Sequence, residues 1–180
     1  SAAGLATELP VEVVNADLPA IHFGRDVMPI LGRAGCNAGT CHGAQAGQNG
    51  FVLSLRGFDL ERDYRSLVHD LSGRRFDRVH PAESLMLQKS TAGVPHEGKQ
   101  GIKPGSRHYD ILHKWIVEGT KFSNDDKNRV TDLTVIPERV DLAMPGEHQS
   151  VLVIARYADG TTSDVTRDAI ISVSNMEVAK

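Results

Sequence analysis

The chain is poor in cysteine and in aromatic side chains, and it carries no large excess of charge of either sign. Lys and Arg number 20 against 23 Asp and Glu, a net charge of -3, so no strong field marks a nucleic-acid or other polyanionic partner. No stretch approaches the run of about 18 apolar residues that a membrane helix needs. The first residues also lack the basic end and apolar run of a secretion signal. As written, the chain reads as soluble and as a possible mature product. Only nine residues are aromatic, five Phe, three Tyr and one Trp, which predicts that something other than side chains fills part of the interior. A length of 180 residues suits one ordinary domain, or one small domain and part of another. Cysteine is nearly absent: Cys36 and Cys41 are the only two, they lie within six residues, and His42 follows at once.

Residues 1–22 hold two prolines and no sustained period, and read as an extended leader with little core. Asp26 is placed to cap a short helix through Val27 to Gly32, with Pro29 in its first turn, and this helix runs toward Cys36. The Gly-rich stretch after His42 leads into FVLSLRGFD, an extended segment or irregular loop. Asp59 to Leu71 spaces Leu60, Tyr64, Leu67, Val68 and Leu71 as an amphipathic helix. A basic turn, GRRFDRVHP, precedes a short helical stretch, PAESLMLQKS, and then the loop TAGVPHEGKQGIKPGS. The clearest helix is Ser106 to Glu118, with Ser106 as N-cap, Gly119 beyond its end and Tyr109, Ile111, Leu112, Trp115 and Ile116 on its apolar face. After a polar linker the composition turns β-like, through LTVIP, RVDLAM, SVLVIARY, SDVT and AIISV, with Asp159-Gly160 as a hairpin turn. About 50 residues there are expected to form half of a β-sandwich, which needs roughly 70 to 100, so the chain is expected to stop short of its second half. The expected fold class is therefore mainly α, a helical domain over 23–122 followed by a partial all-β sandwich over 131–180, the latter the more mobile unless it packs on its neighbour.

Cys36-Asn37-Ala38-Gly39-Thr40-Cys41-His42 matches the chemistry of covalent haem attachment, in which two thiols add to the haem vinyl groups and the following His ligates the iron. The usual spacing has two residues between the cysteines and here there are four. The longer loop can bulge outward, with Gly39 able to take a positive φ. Two other readings stand beside it. A Cys36–Cys41 disulfide closes too short a loop to gain much and leaves His42 without a role. A zinc site of both cysteines, His42 and a further His is chemically sound, but the usual two-pair spacing is missing.

With DVMPILGRAGCNAGTCHG, GQNGFVLSLRGFD, PAESLMLQK, VPHEGK and ILHKWIVEG in that order, the chain resembles the planctomycete-type c-type cytochrome domain from about Asp26 to Gly119. That domain is often followed by a bacterial Ig-like domain of group 2 and then by two large domains of unknown function. TVIPERVDL, ARYADGTTSDVT and SNMEVA resemble the start of the Ig-like domain. The resemblance implies a cytochrome c-like haem domain with one covalent haem c, held through Cys36, Cys41 and His42. It also implies a secreted or periplasmic setting and further C-terminal domains in a longer parent. Many members carry Met-Pro in the loop before the last helix, where this chain has Val94-Pro95-His96, so His96 is preferred as the second iron ligand beside His42. Met86 and His108 remain as rivals: Met86 also suits a core position, and His108 a buried hydrogen bond. His22, His69, His80, His113 and His148 read most simply as solvated. Arg74, Arg75 and Arg78 fit haem propionates or, more simply, a wet loop. Gly32 is expected against Trp115, where the first and last helices cross.

The implied function is electron transfer by a monohaem c-type cytochrome domain. The alternative is a small-ligand-binding or structural haem module of a larger protein. Nothing in the sequence identifies a redox partner.

Overall fold

The computed structural model describes residues 20–98, 100–123 and 125–175, with positions 10 and 12. The leader expected over 1–22 therefore falls almost wholly outside the described residues, and of its last residues Ile21 is part of the core.

Helical winding begins at Phe23, three residues before the expected cap. A wide π-type turn, Phe23–Val27, runs straight into α1, Met28–Arg33. Pro29 has no N–H to donate and its ring crowds the preceding turn, and the wider winding ahead of it relieves both demands. Asp26 reaches back to accept from the backbone N–H of His22 at 2.8 Å, so its capping role is exercised at the start of this earlier turn. α2, Leu60–Tyr64, is capped by Asp59, which accepts from Arg62 N–H, and continues as a second π-type turn to His69. The winding then reverses: Leu71, Ser72 and Gly73 all take positive φ, which leaves Leu71 exposed instead of on the expected apolar face. α3, Leu85–Ser90, and α4, Arg107–Val117, complete the helical part.

α4 follows its sequence signals closely. Ser106 accepts from Tyr109 N–H, and Gly119 sits at φ +89°. Gly119 N–H bonds to the Ile116 carbonyl and Thr120 N–H to the Trp115 carbonyl, the paired closure that a left-handed residue after a helix permits. The buried face is Ile111, Leu112, Trp115 and Ile116. Trp115 meets Phe23 at 5.5 Å and Phe76 at 5.6 Å between centroids, and Phe23 also meets Tyr64 and Phe122. Five of the nine aromatic residues thus gather in one cluster. The first and last helical segments do approach each other, but through Phe23. A Cβ on Gly32 would meet only Asn37 within 4 Å, so the expected Gly32–Trp115 contact is not formed.

The expected fold class is not found. Among the described residues α4, at 11 residues, is the only α-helix longer than six, so a mainly α, cytochrome c-like helical domain does not describe the chain. The β part is a single antiparallel sheet, β1 (Val130–Ile136), β2 (Leu152–Tyr157) and β3 (Thr162–Asp164), in that spatial order. It is not a partial Ig-like sandwich: RVDLAM and AIISV form no strands, because an apolar alternation makes a strand only where a neighbour takes up its backbone groups. The sheet packs on the helical part. Val153, Ala155 and Tyr157 are buried, the Arg25 guanidinium lies 5.9 Å from the Tyr157 ring centroid, and Asp168 accepts from Arg107 at 3.1 Å.

Glu118 anchors the chain entering the first helical turn to the end of α4: it pairs with Lys114 at 2.7 Å and accepts from Ile21 N–H at 3.1 Å. Lys114 chiefly, with the Ile21 N–H, holds its carboxyl below the ordinary value of 4.5. A carboxyl with a depressed folded-state pKa stabilises the fold above its unfolded value and loses that contribution as pH falls through the folded one. Stability measured by chemical denaturation should fall below about pH 4.5, and Glu118→Gln should make that acid-side slope shallower. An equal slope in the variant would remove Glu118 from the acid response.

Candidate functional site

α1 ends as α4 does. Gly35, at φ +79°, donates to the Gly32 carbonyl, and Cys36 N–H donates to the Leu31 carbonyl at 2.9 Å. This closure sets Cys36 three residues after the helix, just past Ala34 and the left-handed Gly35. Gly35, and not Gly39, takes the positive φ. The four residues between the cysteines then fold into a compact turn, with Cys41 N–H on the Ala38 carbonyl at 2.9 Å and His42 N–H on the Cys36 carbonyl at 3.0 Å. Cys36 and His42 are thereby brought side by side despite the long spacing. Asn37, almost fully buried, accepts from Arg56 N–H through its carbonyl. Gly43 completes the turn, and a Cβ there would stand 2.1 Å from the Asn37 carbonyl oxygen. That overlap is with backbone and no rotamer relieves it.

The His42 ring is fixed by Phe51. Its Nδ1 lies 3.1 Å from the Phe51 carbonyl, and the two rings are 4.4 Å apart. A carbonyl only accepts, so Nδ1 carries the proton and Nε2 keeps its lone pair, the arrangement that suits a metal ligand. Burial chiefly, with the nearby His96 and Arg75, lowers the His42 pKa against the opposing Phe51 bond, which favours the neutral ring. Burial and the neighbouring Cys41 push the Cys36 thiol up to about 11, so it is held as S–H.

His96 stands in the loop after α3. The left-handed Ala92 closes that helix, Lys89 Nζ donates to the Pro95 carbonyl at 2.7 Å, and the Gly101 and Ile102 N–H groups both bond to the Ser90 carbonyl. Gly98 leaves room for the ring, since a Cβ there would come within 2.7 Å of His96 Cε1. The imidazoles of His42 and His96 lie 6.3 Å apart between centroids, with their planes only 9° from parallel. Both line a cavity of about 920 Å³ together with Cys36, Cys41, Phe51 and Met86, at the upper end of the range of roughly 300–1,000 Å³ usual for small-molecule sites. With metal–imidazole bonds of about 2 Å, two rings on opposite sides of one ion stand roughly 6 Å apart. That spacing is compatible with one metal between the two rings, and a haem, which brings nitrogen ligands of its own, would be held by Cys36, Cys41, His42 and His96. No three His, Cys, Asp or Glu side chains gather in metal-binding geometry among the described residues. Cys36 and Cys41 are free thiols, so the disulfide is not formed.

All four residues singled out in the sequence, Cys36, Cys41, His42 and His96, border one cavity. Met86 borders it too, as a buried core residue. His108 does not; its Nε2 lies 2.8 Å from Asp168. Of the basic turn, Arg74 and the buried Arg75 both line the cavity and Arg78 donates to Thr120 Oγ1, so a uniformly wet loop is not what forms. Sequence reasoning missed the roles of Phe51, Gly43 and Gly98. A glycine immediately after the CX4CH run was the available signal for Gly43.

The turn yields a paired prediction. Gly43→Ala should lower stability by at least about 2 kcal/mol through overpacking against backbone, read from the denaturation midpoint. Gly39→Ala, whose Cβ would meet only Leu55 Cδ1 at 3.8 Å, should be nearly neutral. Equal effects of the two would contradict the turn geometry.

No family model, curated protein or solved structure matches the chain.

Proposed function

We propose that the chain is a monohaem c-type cytochrome domain for electron transfer, with the haem joined to Cys36 and Cys41 and the iron held by His42 and His96. The observation that carries this reading is the parallel pair of imidazoles, 6.3 Å apart, on a cavity that also presents both cysteines. The haem iron supplies a one-electron change of oxidation state. Cys36 and Cys41 would hold the haem through thioether bonds, each S–H adding across one vinyl group, an addition that would need no oxidant and release no leaving group. The elevated Cys36 pKa is compatible with entry as the thiol. Phe51 orients His42 and leaves Nε2 for the iron, while the pinned loop after α3 presents His96 from another element. Two imidazole donors favour the ferric state more than a thioether would, and predict a lower potential than in otherwise similar His/Met proteins. The implied setting is periplasmic or secreted, in a longer parent protein with further C-terminal domains. Among the described residues no helix is long and apolar enough to cross a membrane.

Acid-organic extraction of the denatured protein should leave haem on the chain, and the folded protein should give a low-spin spectrum. His96→Ala should turn that spectrum partly high-spin and admit carbon monoxide or cyanide quickly. Freely extracted haem would end the covalent reading, and an unchanged low-spin spectrum in the variant would remove His96 from the iron. Prompt carbon monoxide binding by the unmutated protein would favour the small-ligand-binding alternative.

A further inference from the structure

Arg75 is nearly excluded from solvent, at 7% exposure, in a turn where the sequence suggested a solvated cation. Its Nη1 donates to the Ser66 carbonyl at 2.9 Å and to the Asp70 carbonyl at 3.2 Å. No carboxylate lies within ion-pair distance among the described residues. The guanidinium stands 4.3 Å from the centroid of the Phe51 ring. Phe51 in turn packs its ring on His42 and binds His42 Nδ1 through its carbonyl. On its other side, the Arg75 carbonyl accepts from Met86 N–H in α3 at 3.1 Å, the helix that leads into the His96 loop. Burial chiefly opposes its charge, with Arg74 adding to this and Asp70 favouring the charge, and Arg75 itself acts on His42.

We propose that Arg75 is a positioning residue for the His42 imidazole, acting through Phe51, and that its buried charge raises the reduction potential of the iron; the proposal rests on the haem reading above. A guanidinium stays protonated at any working pH. With no protein carboxylate paired to it among the described residues, the buried charge, on the wall of the same cavity, acts on its surroundings with little solvent screening. Oxidation adds one positive charge beside it, so Arg75 disfavours the ferric state and offsets part of the lowering expected from two imidazole ligands. The planar group over the Phe51 ring also limits rotation of the residue whose carbonyl orients His42. Lysine keeps the charge but not the planar contact, which separates the two effects.

The test uses the full chain with haem attached. Arg75→Gln should keep the low-spin spectrum and move the potential to a more negative value, and Arg75→Lys should stay closer to the unmutated potential. Phe51→Leu keeps the backbone carbonyl and removes the ring, and it should speed displacement of an axial imidazole by cyanide. An unchanged potential in Arg75→Gln, or an equal shift in the Gln and Lys variants, would overturn the assignment of charge. If Arg75→Gln fails to load haem, Phe51→Leu decides, and unaltered cyanide kinetics there overturn the relay. Failure of the underlying haem reading would be seen already in the unmutated chain, as the absence of covalent haem.

Discussion

One backbone hydrogen bond, from His42 N–H to the Cys36 carbonyl, turns the stretch between the first cysteine and the histidine into a closed loop, and much of the helical part is organised around it. Gly43 exists to let the chain leave that loop past the Asn37 carbonyl. Leu53 N–H returns to the His42 carbonyl at 2.7 Å, and the next residue, Ser54, gives both its N–H and its hydroxyl to the buried Asp63. Burial pushes the Asp63 carboxyl up, with the Ser54 donors opposing. Ser66 Oγ donates to the Val52 carbonyl at 2.6 Å. α2 and the turn after it are thus tied to the segment beyond His42 by polar bonds that are costly to leave unmade once buried. The same segment begins with Phe51, so the wall that orients His42 and the scaffold that supports the wall are one piece of chain.

The parts legible in the sequence are those governed by local chemistry. α4 carries its own cap, its own terminating glycine and a periodic apolar face, and it forms with bounds close to those expected. The CX4CH run stands out because its side chains carry rare chemistry, while His96, one of eight histidines, is singled out only through the family resemblance; all four residues border one cavity. What stayed hidden depends on long-range partners. Asp63, to which the sequence assigns no role, is buried because Ser54, nine residues away, gives it two hydrogen bonds. Arg75 reads as a wet loop until the Ser66 and Asp70 carbonyls and the Phe51 ring close over it. The sandwich failed for the same reason in reverse: RVDLAM and AIISV have the alternation of strands but no ladder to join.

The sheet is joined to the helical part by side chains from both. Asp168 receives Arg107 and His108 from the first turn of α4, while Arg25, next to the Asp26 that closes the first helical turn, lies against Tyr157. His108 therefore serves the junction between the two parts. This frees the cavity for histidines from two other elements, the turn after α1 and the loop after α3, which pack on a common core through Leu31, Leu67 and Leu87. Placing the two imidazoles on separate elements makes their mutual orientation a property of the whole helical part.

The central claim is that His42 and His96 hold one iron between near-parallel rings. Electron paramagnetic resonance of the oxidised, haem-loaded protein in frozen solution tests it most directly, because the relative orientation of two axial imidazoles sets the anisotropy of a low-spin ferric centre. Rings 9° from parallel predict a rhombic low-spin signal. A high-spin signal, or the strongly anisotropic low-spin signal of perpendicular rings, would contradict the account.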